Sequence, residues 1–158
     1  MGTNSNVHTR LATINDQDFI TSLLPRLTEF GPPSWRDVAG MISTDTQILV
    51  AKLSNIHPGT IILVAEDDQK IPLGFIHLQG GNDYYYKEKH AHISDVIVVD
   101  KAAGRGIGLI LIREGEAWAR AQGFRWLTLS VFAQNVRARE LYSRLGYGED
   151  IMKYVKEL

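Results

Sequence analysis

Gly104-Arg105-Gly106-Ile107-Gly108 stands between a β-branched run, Ile97-Val98-Val99, and an apolar stretch, Leu109-Ile110-Leu111-Ile112. A turn this rich in glycine carries a strand into a helix, so the chain is expected to fold as an α/β layer with an anion site at that junction. Without side-chain bulk at Gly106 and Gly108 the backbone can come close to a phosphate. The first unpaired N–H groups of the helix then point at it with about half a positive charge behind them. Arg105 adds a full charge.

Two familiar glycine loops fail on spacing. A Walker loop needs a Lys-Ser or Lys-Thr pair after its glycines, and none follows here. A Rossmann turn needs a glycine where Leu109 stands and an acid near Phe124 and Arg125. The residues that follow are more specific. After the helix come Gly123, the alternating run Trp126-Leu127-Thr128-Leu129-Ser130-Val131, then Gln134-Asn135 and a second helix carrying Ala138, Leu141-Tyr142 and Leu145-Gly146-Tyr147. This arrangement resembles the GNAT family of acyl-CoA-dependent N-acyltransferases. The family's phosphate signature, Arg/Gln-x-x-Gly-x-Gly/Ala, is met at Gly106 and Gly108, while its opening position holds Ala103. That departure removes a side chain and leaves the backbone donors in place. The second signature, a strand, Asn, a helix with Ala and Leu-Tyr, then Gly-Tyr, is complete. The resemblance covers about residues 60 to 148 and is most specific from 92 to 147.

Composition bounds the alternatives. The 158 residues suit one domain, 1–158, able to bury a core without staples. The absence of cysteine excludes disulfides, thiolate catalysis and Cys-ligated zinc. No apolar run reaches membrane-spanning length or forms a signal-peptide core, so a cytoplasmic location and no membrane partner are expected. Asn6 occupies the position where a myristoylation site after Met1-Gly2 wants Ser or Thr. Seventeen basic against 18 acidic residues argue against a nucleic-acid-binding face.

Along the chain, a strand is expected from Val7 to Ile14, then a helix capped by Asn15 or Asp16 and running through Phe30 to the Gly31-Pro32-Pro33 break. Ser34 is read as the cap of a second helical region from Trp35 to about Leu53, interrupted near Ser43-Thr44-Asp45. Ile61–Ala65 and Ile71–Leu78 read as a hairpin across Glu66–Lys70. Gly80-Gly81-Asn82-Asp83 opens a loop carrying Tyr84, Tyr85 and Tyr86. His90–Val99 is the strand feeding the glycine turn, and Met152–Val155 is a final strand. The expected fold is a single-domain α/β sandwich. As the resemblance implies, its mixed, mostly antiparallel central sheet is flanked by helices and splayed at the strand before the phosphate loop.

Acyl transfer to an amine sets a proton problem. An amine of pKa about 10.4 is almost wholly protonated at neutral pH, and freeing its lone pair costs about 4 to 5 kcal/mol unless a base takes the proton. The resemblance implies that a base projects from the strand before the phosphate loop, where a gap-free count puts His92, acting directly or through a water it orders. A histidine of pKa near 6.5 is ready to accept a proton at pH 7. By the period of two, His90 and Ser94 share its face and Asp95 faces away. The resemblance assigns Tyr142 as the acid to the departing CoA thiolate. It assigns acetyl-CoA as co-substrate, without a metal, held by Gly104, Arg105, Gly106, Ile107 and Gly108, by Asn135, and by the strand edge of Ile97, Val98 and Val99. Asn135 also suits a helix N-cap. The backbone N–H of Val98 or a neighbour would polarise the thioester carbonyl.

The acceptor side falls, by the same resemblance, to Phe30, Trp35, Tyr84, Tyr85 and Tyr86. These aromatics suit a ring-stacking pocket, a cage for an ammonium, or equally a homodimer contact. The activity expected is acetylation of a primary amine of a small molecule or peptide by direct attack. The rival from another class is an acyl-CoA sensor without turnover, which His92 and Tyr142, both carrying usable chemistry, disfavour.

Overall fold

The computed structural model describes residues 6–85 and 87–158. The expectations at Met1-Gly2 and Tyr86 lie outside the described residues. Strand β1 is His8–Leu11, helix α1 Gln17–Leu23, helix α2 Val38–Ser54, strand β2 Thr60–Glu66, strand β3 Pro72–Asn82 and strand β4 Lys89–Val98. Helix α3 follows at Ile107–Ala121, strand β5 at Leu127–Leu129 and helix α4 at Val136–Arg144. The sheet runs in order β1-β2-β3-β4-β5. Its first four strands form an antiparallel meander, and β5, returning after α3, lies parallel to β4. This is the expected single-domain α/β architecture with a mixed, mostly antiparallel sheet.

Both faces of the sheet are covered, which is why β3 reads as a continuous apolar run: Leu73 to Leu78 are all buried. On one face Ile62, Val64, Phe75 and Ile97 pack with Ile20, Leu24, Leu49 and Leu53 of the first two helical regions. On the other, Leu63, Ile76, Leu78 and Ile93 meet Ile107 and Leu111 of α3. A Cβ at Gly115 would come within 3.0–3.1 Å of Leu78 and Ile76 side-chain atoms, so this glycine lets α3 sit close on the sheet.

Several boundaries differ from expectation for local reasons. The first strand stops at Leu11 because Asp16 folds back: Thr13 caps a short 3-10 turn, Ile14–Asp16, while the Asp16 carboxylate accepts from the Thr13 backbone N–H at 2.8 Å. Asp16 is the N-cap residue of α1, as expected, but its side chain makes no cap bond there; the side-chain cap belongs to Thr13 on the turn before it. Arg10 holds both Asp16 oxygens and reaches Glu66 at 2.7 Å, tying β1 to the turn and to β2. Helix α1 ends at Leu23, and Pro25 begins a tighter 3-10 stretch, Leu24–Thr28, well short of Phe30. Helix α2 starts at Val38, after Asp37 rather than Ser34, and is unbroken. Its hydroxyls bond back to the preceding turn, Thr44 to the Gly40 carbonyl and Thr46 to that of Ile42, so polar residues do not interrupt it. Gly80 to Asn82 continue β3 instead of opening a loop, paired with Lys89 to Ala91. Strand β5 is only three residues, and Met152–Val155 is not a strand: the segment is exposed and has no ladder partner among the described residues.

Candidate active site

Strand β4 carries the first element of the site and also a departure from simple alternation. Its pairing with β3 passes from His77 opposite Asp95 to Leu78 opposite Ile93, leaving Ser94 as an extra residue. Such a bulge turns the side-chain parity over. His77 and Gln79 share one face of β3 by the period of two, and their partners Asp95 and His92 therefore share that face as well. The expectation that Asp95 faces away from His92, with Ser94 beside it, is corrected by the bulge. Asp95 accepts from or shares the proton of His77 Nδ1 at 3.0 Å, in a pair almost wholly buried. His77 Nε2, His90 Nδ1 and Ser94 Oγ are buried without a hydrogen-bond partner among the described residues.

His92 is held from β5. Its Nδ1 lies 2.8 Å from the hydroxyl of Thr128, its direct partner across the parallel ladder. That hydroxyl has one proton, which it directs to the Ala91 carbonyl in a long contact of 3.4 Å. With the Thr128 proton on the Ala91 carbonyl, His92 Nδ1 is the donor and Nε2 keeps its lone pair, the tautomer that a base at this position requires. Burial lowers the His92 pKa below the usual imidazole value, with His90 pushing the same way and Asp95 opposing. The ring is accordingly neutral at pH 7.

The second element is a gap. Strands β4 and β5 pair only at Ala91, His92 and Ile93 against Leu127, Thr128 and Leu129, and beyond that β4 runs on without β5. The splay expected at the strand before the glycine turn is present. Which groups face it follows from the other side of β4: the Val99 N–H donates to Leu73 at 2.8 Å. Hydrogen-bonded pairs alternate along an antiparallel ladder, so Ile97 and Val99 turn their backbone groups toward β3, and Val96 and Val98 turn theirs into the gap. The edge expected from Ile97, Val98 and Val99 thus narrows to Val98, joined by Val96. The Val98 carbonyl is taken by Arg26 Nε at 2.9 Å, whose NH1 also reaches Asp100 and Glu29 at 3.3 Å. No pattern in the residues could have revealed Arg26, because its partner is a backbone atom 72 residues away.

At the far end of β4 the chain makes a 3-10 turn, Asp100–Ala102, and enters the glycine segment. Gly104 and Gly106 adopt φ of 78° and 79°, left-handed conformations that L side chains resist. Nothing lies within 4 Å of a Cβ built at either position, so the backbone borders open space that a side chain would fill. Gly106 is the N-cap of α3, without a capping side chain, and the Ile107 and Gly108 N–H groups belong to the helix's unpaired first turn. This is a cradle suited to a pyrophosphate, and exposed Arg105 lies within it.

Across the gap, Asn135 caps α4 by accepting from the Ala138 N–H at 3.2 Å. Tyr142 lies half-buried on α4 with its ring edge-on to Tyr147, centroids 5.9 Å apart. Burial raises the pKa of Tyr142, so the phenol keeps its proton at neutral pH. The two tyrosines divide their roles: Tyr147 donates to Glu116 at 3.1 Å, whereas the Tyr142 hydroxyl makes no hydrogen bond among the described residues.

Phe30 is exposed, and Tyr84 and Tyr85 form an exposed edge-to-face pair 5.0 Å apart in the β3–β4 loop. One face of Trp35 is covered by Arg36, whose guanidinium carbon lies 4.5 Å from the ring centroid.

A sequence model of the Acetyltransferase (GNAT) family matches residues 24–147. The chain belongs to that family and is an N-acetyltransferase. It is 28% identical over 141 residues to the uncharacterized N-acetyltransferase YhfO of Bacillus subtilis (strain 168), covering 89% of each chain. Among solved structures, the fold is similar to a GCN5-related N-acetyltransferase from Ralstonia eutropha JMP134. There the TM-score is 0.75 at 20% identity, over 97% of this chain and 99% of that one. It is also similar to the aminoglycoside N-acetyltransferase AAC(6')-Iy in complex with CoA. In that case the TM-score is 0.72 at 16% identity, over 100% of this chain and 99% of that one. Among the described residues, no helix is long and apolar enough to cross a membrane.

Proposed function

We propose that the protein moves an acetyl group from acetyl-CoA to a primary amine by direct attack, with His92 as base and Tyr142 as acid. The observation that carries this reading is the β4–β5 gap. It has the open glycine cradle at one end, backbone groups of Val96 and Val98 along its side, and His92 where the two strands begin to part. Acetyl-CoA fits that layout by its chemistry. A pyrophosphate takes the free N–H groups around Gly106 and Gly108, the pantetheine amides take the Val96 backbone groups and the Val98 N–H as an added strand would, the Val98 carbonyl being held by Arg26, and the thioester reaches the bulge.

In the reaction the acceptor nitrogen forms a C–N bond to the thioester carbonyl carbon and the C–S bond breaks. His92 Nε2, in the tautomer that has Nδ1 donating to Thr128, receives the proton the nitrogen loses. The Val98 or Val96 N–H faces the carbonyl oxygen as charge develops there. Tyr142 gives its proton to the departing thiolate. Asn135 serves helix α4 through its side-chain oxygen and keeps its amide N–H₂ for the pantetheine arm.

Calorimetric titration with acetyl-CoA, followed by thiol release against a panel of amines, tests the proposal. Binding with release supports it. Binding without release from any amine would make the protein an acyl-CoA sensor, and an unchanged affinity in Gly106→Val would move the phosphate site elsewhere.

A further inference from the structure

The segment from Arg26 to Arg36 crosses the gap between β4 and β5. At one end Arg26 binds the Val98 carbonyl of β4. Farther along, a Cβ built on Gly31 would stand 2.8 Å from Phe132 Cβ and 3.6 Å from the Asn135 nitrogen, beyond the end of β5. Arg36 closes the crossing. Its guanidinium carbon lies 4.5 Å from the Trp35 ring centroid and 5.8 Å from that of Phe132, so the cation stands between a ring of the crossing segment and one beyond β5.

Stacking of this kind uses the faces of a guanidinium and none of its five edge donors. The Arg36 side chain makes no hydrogen bond or ion pair with any described residue, while its backbone N–H donates to the Pro33 carbonyl at 3.0 Å. Its nearest acid in sequence, Asp37, is turned away: Asp37 Oδ2 lies 2.5 Å from where a Cβ on Gly40 would stand. Arg36 Nε has moreover been removed from water without gaining an acceptor. A buried donor left in that state calls for a partner outside the protein, and a fixed, planar, unpaired fork matches an oxyanion in geometry and charge.

We infer that Arg36 receives an anionic group, a carboxylate or phosphate, carried by the amine acceptor. The inference rests on the acetyltransferase reading above and adds the acceptor's class. The amine carries an oxyanion near its reacting nitrogen, and polycationic amines are disfavoured by a like charge at the mouth of the gap. It also gives Trp35 a different task from caging an ammonium, since that ring face already holds a cation.

The test measures thiol release on matched acceptors differing only in the anion: free α-amino acids against their primary amides, and phosphoethanolamine against ethanolamine. In the parent, KM for the anionic member is expected to be at least about tenfold lower, with the amino-acid and phosphoethanolamine arms separating carboxylate from phosphate. In Arg36→Gln that ratio falls toward one, Arg36→Lys keeps part of it, and acetyl-CoA affinity stays within about twofold. A ratio unchanged in Arg36→Gln, or a parent that prefers the neutral members, overturns the inference and leaves the enzyme reading standing. Loss of acetyl-CoA binding in the parent would instead sink the enzyme reading. Titration of CoA-loaded parent with the N-acetylated product of each pair gives a second readout. Equal binding of both products, or binding of neither, overturns the role of Arg36, and thermal melts of both variants separate it from misfolding.

Discussion

The two sides of the β4–β5 gap are built differently. On the β3 side, six consecutive residues of one strand are buried, helices cover both faces, and β4 is paired with β3 along its whole length. On the β5 side the strand has three residues, none of them buried, α4 buries no residue at all, and the last eight residues are exposed. His92, Val96 and Val98 thus sit on the densely packed wall, and Asn135 and Tyr142 on the thin one. The difference teaches that the groups proposed here for the thioester, the amine and the pantetheine edge are fixed by packing. Those proposed for the sulfur and the far side of the pantetheine stand on an element with little apolar burial of its own, the kind of region that opens locally at low free energy and is steadied by a ligand.

The largest expected effect tests the dense wall directly. Phe75→Ala, at a fully buried site between the sheet and the first helices, is expected to destabilise the protein by about 3–5 kcal/mol in denaturant unfolding. Leu141→Ala on α4, only partly buried, should cost less than about 1.5 kcal/mol. Equal losses at the two positions would break the comparison.

The next largest effect lies at the gap itself. His92→Ala is expected to lower kcat by roughly 10²–10³ at pH 7 with little change in melting temperature. The sign of its pH dependence follows from the lowered pKa: the parent loses activity as pH falls through a value below 6.5, where His92 takes up its proton. The variant lacks that limb and recovers as pH rises and the acceptor deprotonates itself. A variant with the parent's profile would reassign the base. Tyr142→Phe should reduce turnover by about tenfold or more while acetyl-CoA affinity is kept, and unchanged turnover would remove Tyr142 as acid. Because burial raises its pKa, no loss of Tyr142's proton is expected below pH 10.

The smallest effects sharpen the contrast. Thr128→Val removes the partner of His92 Nδ1 and should cost about three- to tenfold in kcat while shifting the acid limb, a change that a purely structural threonine would not produce. Hydrogen exchange with and without acetyl-CoA should show protection gained mainly at the amides of α4 and the glycine turn, and little at β2 and β3. Equal protection throughout would mean that the thin wall is as firmly held as the dense one.

The glycine turn, the strand before it and the Asn-to-Tyr helix were legible because each rests on local chemistry. Glycine accepts φ near 79° at position 106 without strain, a short side chain with an oxygen such as Asn135 caps a helix N-terminus, and the apolar periods of β3 and α3 match their geometry. Apart from the end of α1, which Pro25 sets locally, the errors share one cause: the Ser94 bulge, the run of β3 through Gly80 and Gly81 and the unpaired Met152–Val155 segment all depend on what lies across from a residue. A period of two gives no warning of an inserted residue, and an alternating tail gives none of a missing neighbour.

The order of the elements, the family and the chemistry within reach were therefore determined by the residues themselves, since conformational preference and apolar periodicity are properties of short stretches of chain. Which backbone groups face the gap, which face His92 shares with Asp95, what holds its ring and which arginine has its Nε buried without an acceptor were decided only in the tertiary structure. Each is a relation between atoms far apart in sequence, from the 36 residues separating His92 from Thr128 to the 72 between Arg26 and Val98, set by register and packing rather than by either residue alone.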